Sequence, residues 1–82
     1  MLNKYELLNY WKNNYYGTWE YSRSIKLNLK DEDNTQKIRK SLRQFCLEEN
    51  LPNTSYTFET DHDTRAMYTL SDNLATKLQN LS

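Results

Sequence analysis

The chain has one glycine, one proline, one cysteine and one histidine among 82 residues, and no surplus of either charge. Each shortage excludes something. One glycine cannot build a loop that cradles phosphate through closely approaching backbone. One cysteine rules out an intrachain disulfide and favours a reducing compartment. Cys46 keeps the spacing of an apolar helix face, so it reads as a small core hydrophobe. A catalytic thiol would want a basic, partly exposed setting. One histidine, with no cluster of His or Cys elsewhere, cannot complete a zinc shell. Eleven acids balance eleven bases, where a dedicated nucleic-acid binder shows a basic excess. No apolar run approaches the roughly 18 residues of a membrane span. The amphipathic start, with Glu6 inside it, is not a signal peptide. The expected location is the cytoplasm, with no membrane partner and no cofactor.

What is abundant is Asn, Lys and Tyr, with ten, seven and seven copies against two of Ala. The abundant residues have A+T-rich codons and the scarce ones G+C-rich codons. A short chain of this composition is typical of phage or mobile-element accessory proteins. At this length residues 1–82 make a single domain, which buries only about 60% of the surface its unfolded form exposes.

"LNKYELL" opens a helix. Asn3 is the N-cap, Glu6 closes a capping box, and Leu2 and Leu7 are placed as a hydrophobic staple. The helix is expected to reach Tyr16, with Gly17 at its left-handed end. Leu7, Leu8, Trp11 and Tyr15 share one face. Tyr5, Tyr10 and Tyr16 fall about 100–120° from its centre. Residues 18–30 then alternate strictly, with Trp19, Tyr21, Arg23, Ile25, Leu27 and Leu29 on one side, and read as a strand of about twelve residues. "DEDNTQ" starts a second helix with Asp33 as N-cap and Gln36 as its partner. Ile38, Leu42, Phe45 and Cys46 mark the inner face, and Pro52 lies past the end. "SYTFET" and "TRAMYTL" are two shorter strands around the polar turn "DHDT". Ser71 caps a last helix with Leu74, Leu78 and Leu81 inward.

This helix–strand–helix–strand–strand–helix order predicts an α+β fold: a two-layer sandwich with a three-stranded antiparallel sheet in order 1-3-2. It is a ferredoxin-like half with an added N-terminal helix. All helices lie on one face, and the other sheet face is polar and wet. Ile25, Leu27, Leu42, Phe45 and Tyr68 should share one core.

Three groups of residues could carry function. Asp61, His62 and Asp63 have ligand chemistry, and would centre a metal-binding or hydrolytic site. Three consecutive ligands rarely close on one ion, however, and Asp and His are ordinary turn formers. His62 at a hairpin tip also lacks the sheltered cleft that a triad base needs. Neither a metal site nor an enzyme is therefore expected. Lys37, Arg39, Lys40 and Arg43 line the outer side of the second helix. They could meet phosphates in a weak nucleic-acid-binding regulator, although a solvated helix face looks the same. The remaining group is aromatic. Trp19, Tyr21 and Arg23 overhang the stretch of strand that the two short strands can pair, with Tyr10 and Tyr16 nearby. Either the first helix folds back over Trp19 and Tyr21 while Arg23 snorkels at the rim, or they form an interaction surface. Aromatics and Arg are enriched in binding hot spots. An unpaired strand end also offers free backbone groups to a second copy, giving a homodimer, or to a foreign strand. The leading expectation is a small non-enzymatic protein-binding or regulatory module acting on a host protein through Trp19, Tyr21, Arg23, Tyr10 and Tyr16.

Overall fold

The computed structural model describes residues 1–15, 23–61 and 65–81. Helix α1 (Lys4–Asn13) begins with the expected capping box: Glu6 N–H donates to Asn3 Oδ1 at 2.9 Å, and Asn3 N–H to Glu6 Oε1 at 3.1 Å. Leu7, Leu8 and Trp11 are buried. The helix stops at Asn13, short of the expected Tyr16, and Tyr15 is half-exposed rather than inward. Asparagine amides compete with the helical backbone here. Asn13 and Asn14 turn their side-chain N–H groups back to the carbonyls of Asn9 and Tyr10. The Asn14 carbonyl is drawn off the helix axis by a bond from Lys26 N–H. Gly17, expected as the helix terminator, lies outside the described residues.

Strand β1 (Ser24–Asn28) is shorter at its far end than the expected limit of Lys30. Asn28 ends it, because its carbonyl accepts from Asp31 N–H and its side chain from Lys30 N–H. That turn also moves the start of α2 (Glu32–Glu48). Asp31, not Asp33, is the N-cap, with its carboxylate accepting from Asn34 N–H at 3.1 Å. Asp33 falls in the first turn, where a negative charge still suits the helix dipole. The far end of α2 closes before Pro52 is reached. Asn50 adopts φ 56°, Leu51 N–H donates to the Cys46 carbonyl and Asn50 N–H to Leu47. This is the two-bond left-handed helix end, with asparagine in the position that glycine usually takes.

A 3-10 turn (Asn53–Ser55) leads into β2 (Tyr56–Asp61), then β3 (Arg65–Leu70) and α3 (Asp72–Gln79). The sheet order is β1-β3-β2, antiparallel throughout, as the element order predicts. Ser71 caps α3, with its hydroxyl accepting from Leu74 N–H. Leu7, Ile25, Ile38, Leu42, Leu74 and Leu78 are fully buried in one core cluster, which also holds Leu27, Phe45, Cys46 and Tyr68. All three helices contribute to it.

The register sets the faces. Ile25, Tyr68 and Phe58 form one cross-strand row on the core side; Leu27, Ala66 and Thr60 form the next. The opposite face carries Ser24–Thr69–Thr57, Lys26–Met67–Glu59 and Asn28–Arg65. It is polar except for Met67, and is less open than its composition suggests. Ser24 and Met67 are both buried there, and Ser24 Oγ lies 3.3 Å from Thr69 Oγ1.

Candidate functional site

A three-stranded sheet has two edges, and this one treats them differently. Backbone groups alternate in direction along an antiparallel strand. Leu70 N–H donates to the Arg23 carbonyl and Ser71 N–H to the Ser55 carbonyl. These two bonds fix the alternation on both sides of β3. Ser24, Lys26 and Asn28 therefore point their amides and carbonyls away from β3 along the outer side of β1. Tyr56, Phe58 and Thr60 do the same along the outer side of β2.

The β1 edge is occupied. Lys26 N–H donates to the Asn14 carbonyl, Tyr15 forms an antiparallel bridge with Ile25, and the Asn28 carbonyl takes Asp31 N–H. On the β2 edge, no described residue pairs with Tyr56, Phe58 or Thr60 beyond β3.

The β2 edge also has an aromatic floor. Tyr56 and Phe58 both flank Tyr68, with ring centroids 5.9 Å apart at 74° for Tyr56 and 5.2 Å at 55° for Phe58. Such tilted and edge-on pairs are the favourable geometries. Phe58 is nonetheless 44% exposed. Beside it runs an open groove lined by Tyr56, Phe58 and Tyr68 from the sheet and by Thr35, Gln36 and Arg39 from α2. Burial pushes the Tyr56 hydroxyl above its ordinary pKa; the Cys46 thiol adds to this, and Arg43 and Arg39 oppose it. Burial likewise raises Tyr68, again against Arg39. The two arginines thus sit close enough to the aromatic floor for their charge to be felt there.

Arg39 donates its Nε–H to Gln36 Oε1 at 3.0 Å. Neither Arg39 nor Arg43 has a carboxylate within ion-pair distance among the described residues. Lys37 and Lys40 are also exposed. At about 100° per residue the four basic positions fan across roughly 160° of the helix. Arg39 and Arg43 lie on the flank facing β2, Lys40 points outermost, and Lys37 lies toward the α1 side. They do not make one patch.

Arg23 answers for its place on the apolar side of the strand. Its row continues through Leu70 to Tyr56 at the end of the sheet, and its guanidinium pairs with Asp72 in the first turn of α3. Its backbone is bonded to β3, so Arg23 itself is paired and not part of an overhang; the rest of the expected overhang, at Trp19 and Tyr21, lies outside the described residues. Tyr10 is half-buried, and its hydroxyl accepts from Asn34 Nδ2 at 2.7 Å, tying α1 to the start of α2. Tyr5 is exposed, with Lys4 Nζ 5.5 Å from its ring centre. Tyr16, Trp19 and Tyr21 lie outside the described residues, as do His62 and Asp63, while Asp61 closes β2. Among the described residues no three His, Cys, Asp or Glu groups gather to hold a metal ion, and no helix is long and apolar enough to cross a membrane.

Sequence reasoning passed over Tyr56 and Phe58 and placed Tyr68 only in the core. The signal was there: an order of 1-3-2 makes the second strand an edge, and "SYTFET" alternates aromatics on one side of it. Comparison with protein-family models, with curated proteins and with solved structures finds no match for this chain.

Proposed function

We propose that this chain is a small, non-enzymatic protein-binding module that acts by holding an extended segment of a partner against the outer side of β2. One observation carries this reading: among the described residues the β2 edge has no partner while the β1 edge is covered, and the β2 edge adjoins a groove floored by Tyr56, Phe58 and Tyr68. Strand addition of this kind draws affinity from main-chain hydrogen bonds and specificity from pockets for alternate side chains. An exposed edge is otherwise an aggregation liability, which a partner relieves. The composition supports an accessory protein of a phage or mobile element, so the partner is a host protein.

A photo-crosslinking phenylalanine analogue at position 58 tests the site in cells. A discrete adduct is expected at position 58 and not at position 40, on the outermost line of α2. It should disappear with Thr60→Pro, which removes an outward N–H without touching a bond to β3. Adducts at position 40 alone, or none at either position, would overturn the reading.

A further inference from the structure

The occupant of this edge can be specified further, on the premise that the β2 edge is the binding site. We propose that it is an extended acidic segment, which adds as a fourth strand and sets alternate carboxylates against Arg39 and Arg43.

The two guanidiniums are the reason. Both are exposed, both act on the Tyr56 hydroxyl, and neither has a carboxylate partner among the described residues. A strand added to β2 presents every second side chain on the groove side, at intervals of about 6.6–6.8 Å. Arg39 and Arg43 are four residues apart on α2, a rise of about 6 Å. Carboxylates at alternate positions of the added strand therefore match the interval between the two arginines. The guanidinium fork suits a carboxylate in two-point contact, and the aromatic floor takes the apolar stems beneath.

A second copy of this chain fits less well. The two-fold axis would pass through Phe58, pairing Phe58 with itself and Tyr56 with Thr60, so that like faces stay together. The backbone bonds would form. Both copies of Arg39 would then stand on the same face of the joined sheet, facing each other across the axis, and like charges meeting across an interface oppose it.

The probe is a capped eight-residue peptide of alternating Val and Glu, with its Val–Lys counterpart as the charge control. Binding is read by amide shifts in the isotopically labelled chain at low salt. The Val–Glu peptide is expected to shift the Tyr56, Phe58 and Thr60 amides. Its affinity should fall roughly two- to fivefold for each of Arg39→Gln and Arg43→Gln, the range of an exposed ion pair. The Val–Lys peptide should bind more weakly than either variant allows. Methylating alternate peptide nitrogens on the edge-facing side should abolish the shifts, a control that needs no change to the protein.

Equal binding of both peptides at the β2 edge would overturn the acidic preference and leave the strand-binding reading standing. A concentration-dependent dimer, dissociated by Thr60→Pro, would replace the acidic segment with a second copy. Absence of edge shifts with either peptide at millimolar concentration would overturn both readings.

Discussion

The two edges of this sheet are built from the same kind of strand and end in opposite conditions. β1 is five residues long and β2 six, and both pair with β3 along their length. The difference lies in what the neighbouring chain does. After α1 the chain turns at Asn14 and lays one carbonyl and one bridge along β1. Before β2 the chain arrives through Pro52 and a 3-10 turn at the end of the strand, and nothing described returns along its outer side. An edge is closed by connectivity more than by strand composition, so the free backbone is found where the chain does not double back.

The closed edge depends on α1, and α1 depends on its buried face. Leu7→Ala is expected to cost about 2–5 kcal/mol, the range for a fully buried leucine. The Lys26 amide should then exchange faster with solvent, since its acceptor is the carbonyl of Asn14. Denaturant unfolding combined with hydrogen exchange measures both. An unchanged Lys26 amide in a destabilised chain would show that the cover is held by something other than α1.

A smaller break is available at the contact between Tyr10 and Asn34. Tyr10→Phe removes one half-buried acceptor at 2.7 Å and should lower stability by about 0.5–1.5 kcal/mol. Because that bond ties α1 to α2 rather than α2 to β2, peptide binding at the β2 edge should not change. A loss of binding in this variant would mean that the two edges are coupled.

Arg23 and Asp72 join the end of β1 to α3 at an exposed site, with side chains 48% and 87% accessible. Their coupling in a double-mutant cycle of Arg23→Ala and Asp72→Ala should be about 0.2–1 kcal/mol, and weaker at high salt. A coupling well above this range would assign Arg23 a larger part in holding the fold than its exposure allows.

The floor of the open edge has the smallest effect at neutral pH. Burial raises the Cys46 thiol, the Tyr56 hydroxyl and the Tyr68 hydroxyl above their ordinary values of 9.0, 10.0 and 10.0. Below about pH 8 folded and unfolded chains both keep these protons, so stability from this cause is flat. Above it the unfolded chain releases them first, and stability falls as pH rises through the folded values. Cys46→Ala should remove the earliest part of that alkaline loss, measured as melting temperature against pH.

Much of this was legible from local chemistry. The capping box at Asn3 and Glu6, the cap at Ser71, and the inner faces Ile38–Leu42–Phe45 and Leu74–Leu78 follow from spacing that involves only near neighbours. The errors also have local causes. Asp31 and Asp33 are both sound caps two residues apart, and the turn from Asn28 decides for Asp31. Asn50 takes the left-handed place because the chain offers no glycine there.

The sequence by itself determined the element order, the buried faces and the antiparallel sheet with β3 in its centre. Those depend on periodicity, and on the few ways a strand–helix–strand unit followed by a hairpin can close. Tertiary structure alone decided which edge is covered, which has no partner among the described residues, and where Arg23 finds its carboxylate. Asn14 meets Lys26 across twelve positions of chain, and Arg23 meets Asp72 across 49. Neither contact leaves a period or a motif in the sequence. Each exists because separate elements, placed by the shared core, bring their ends to the same point in space.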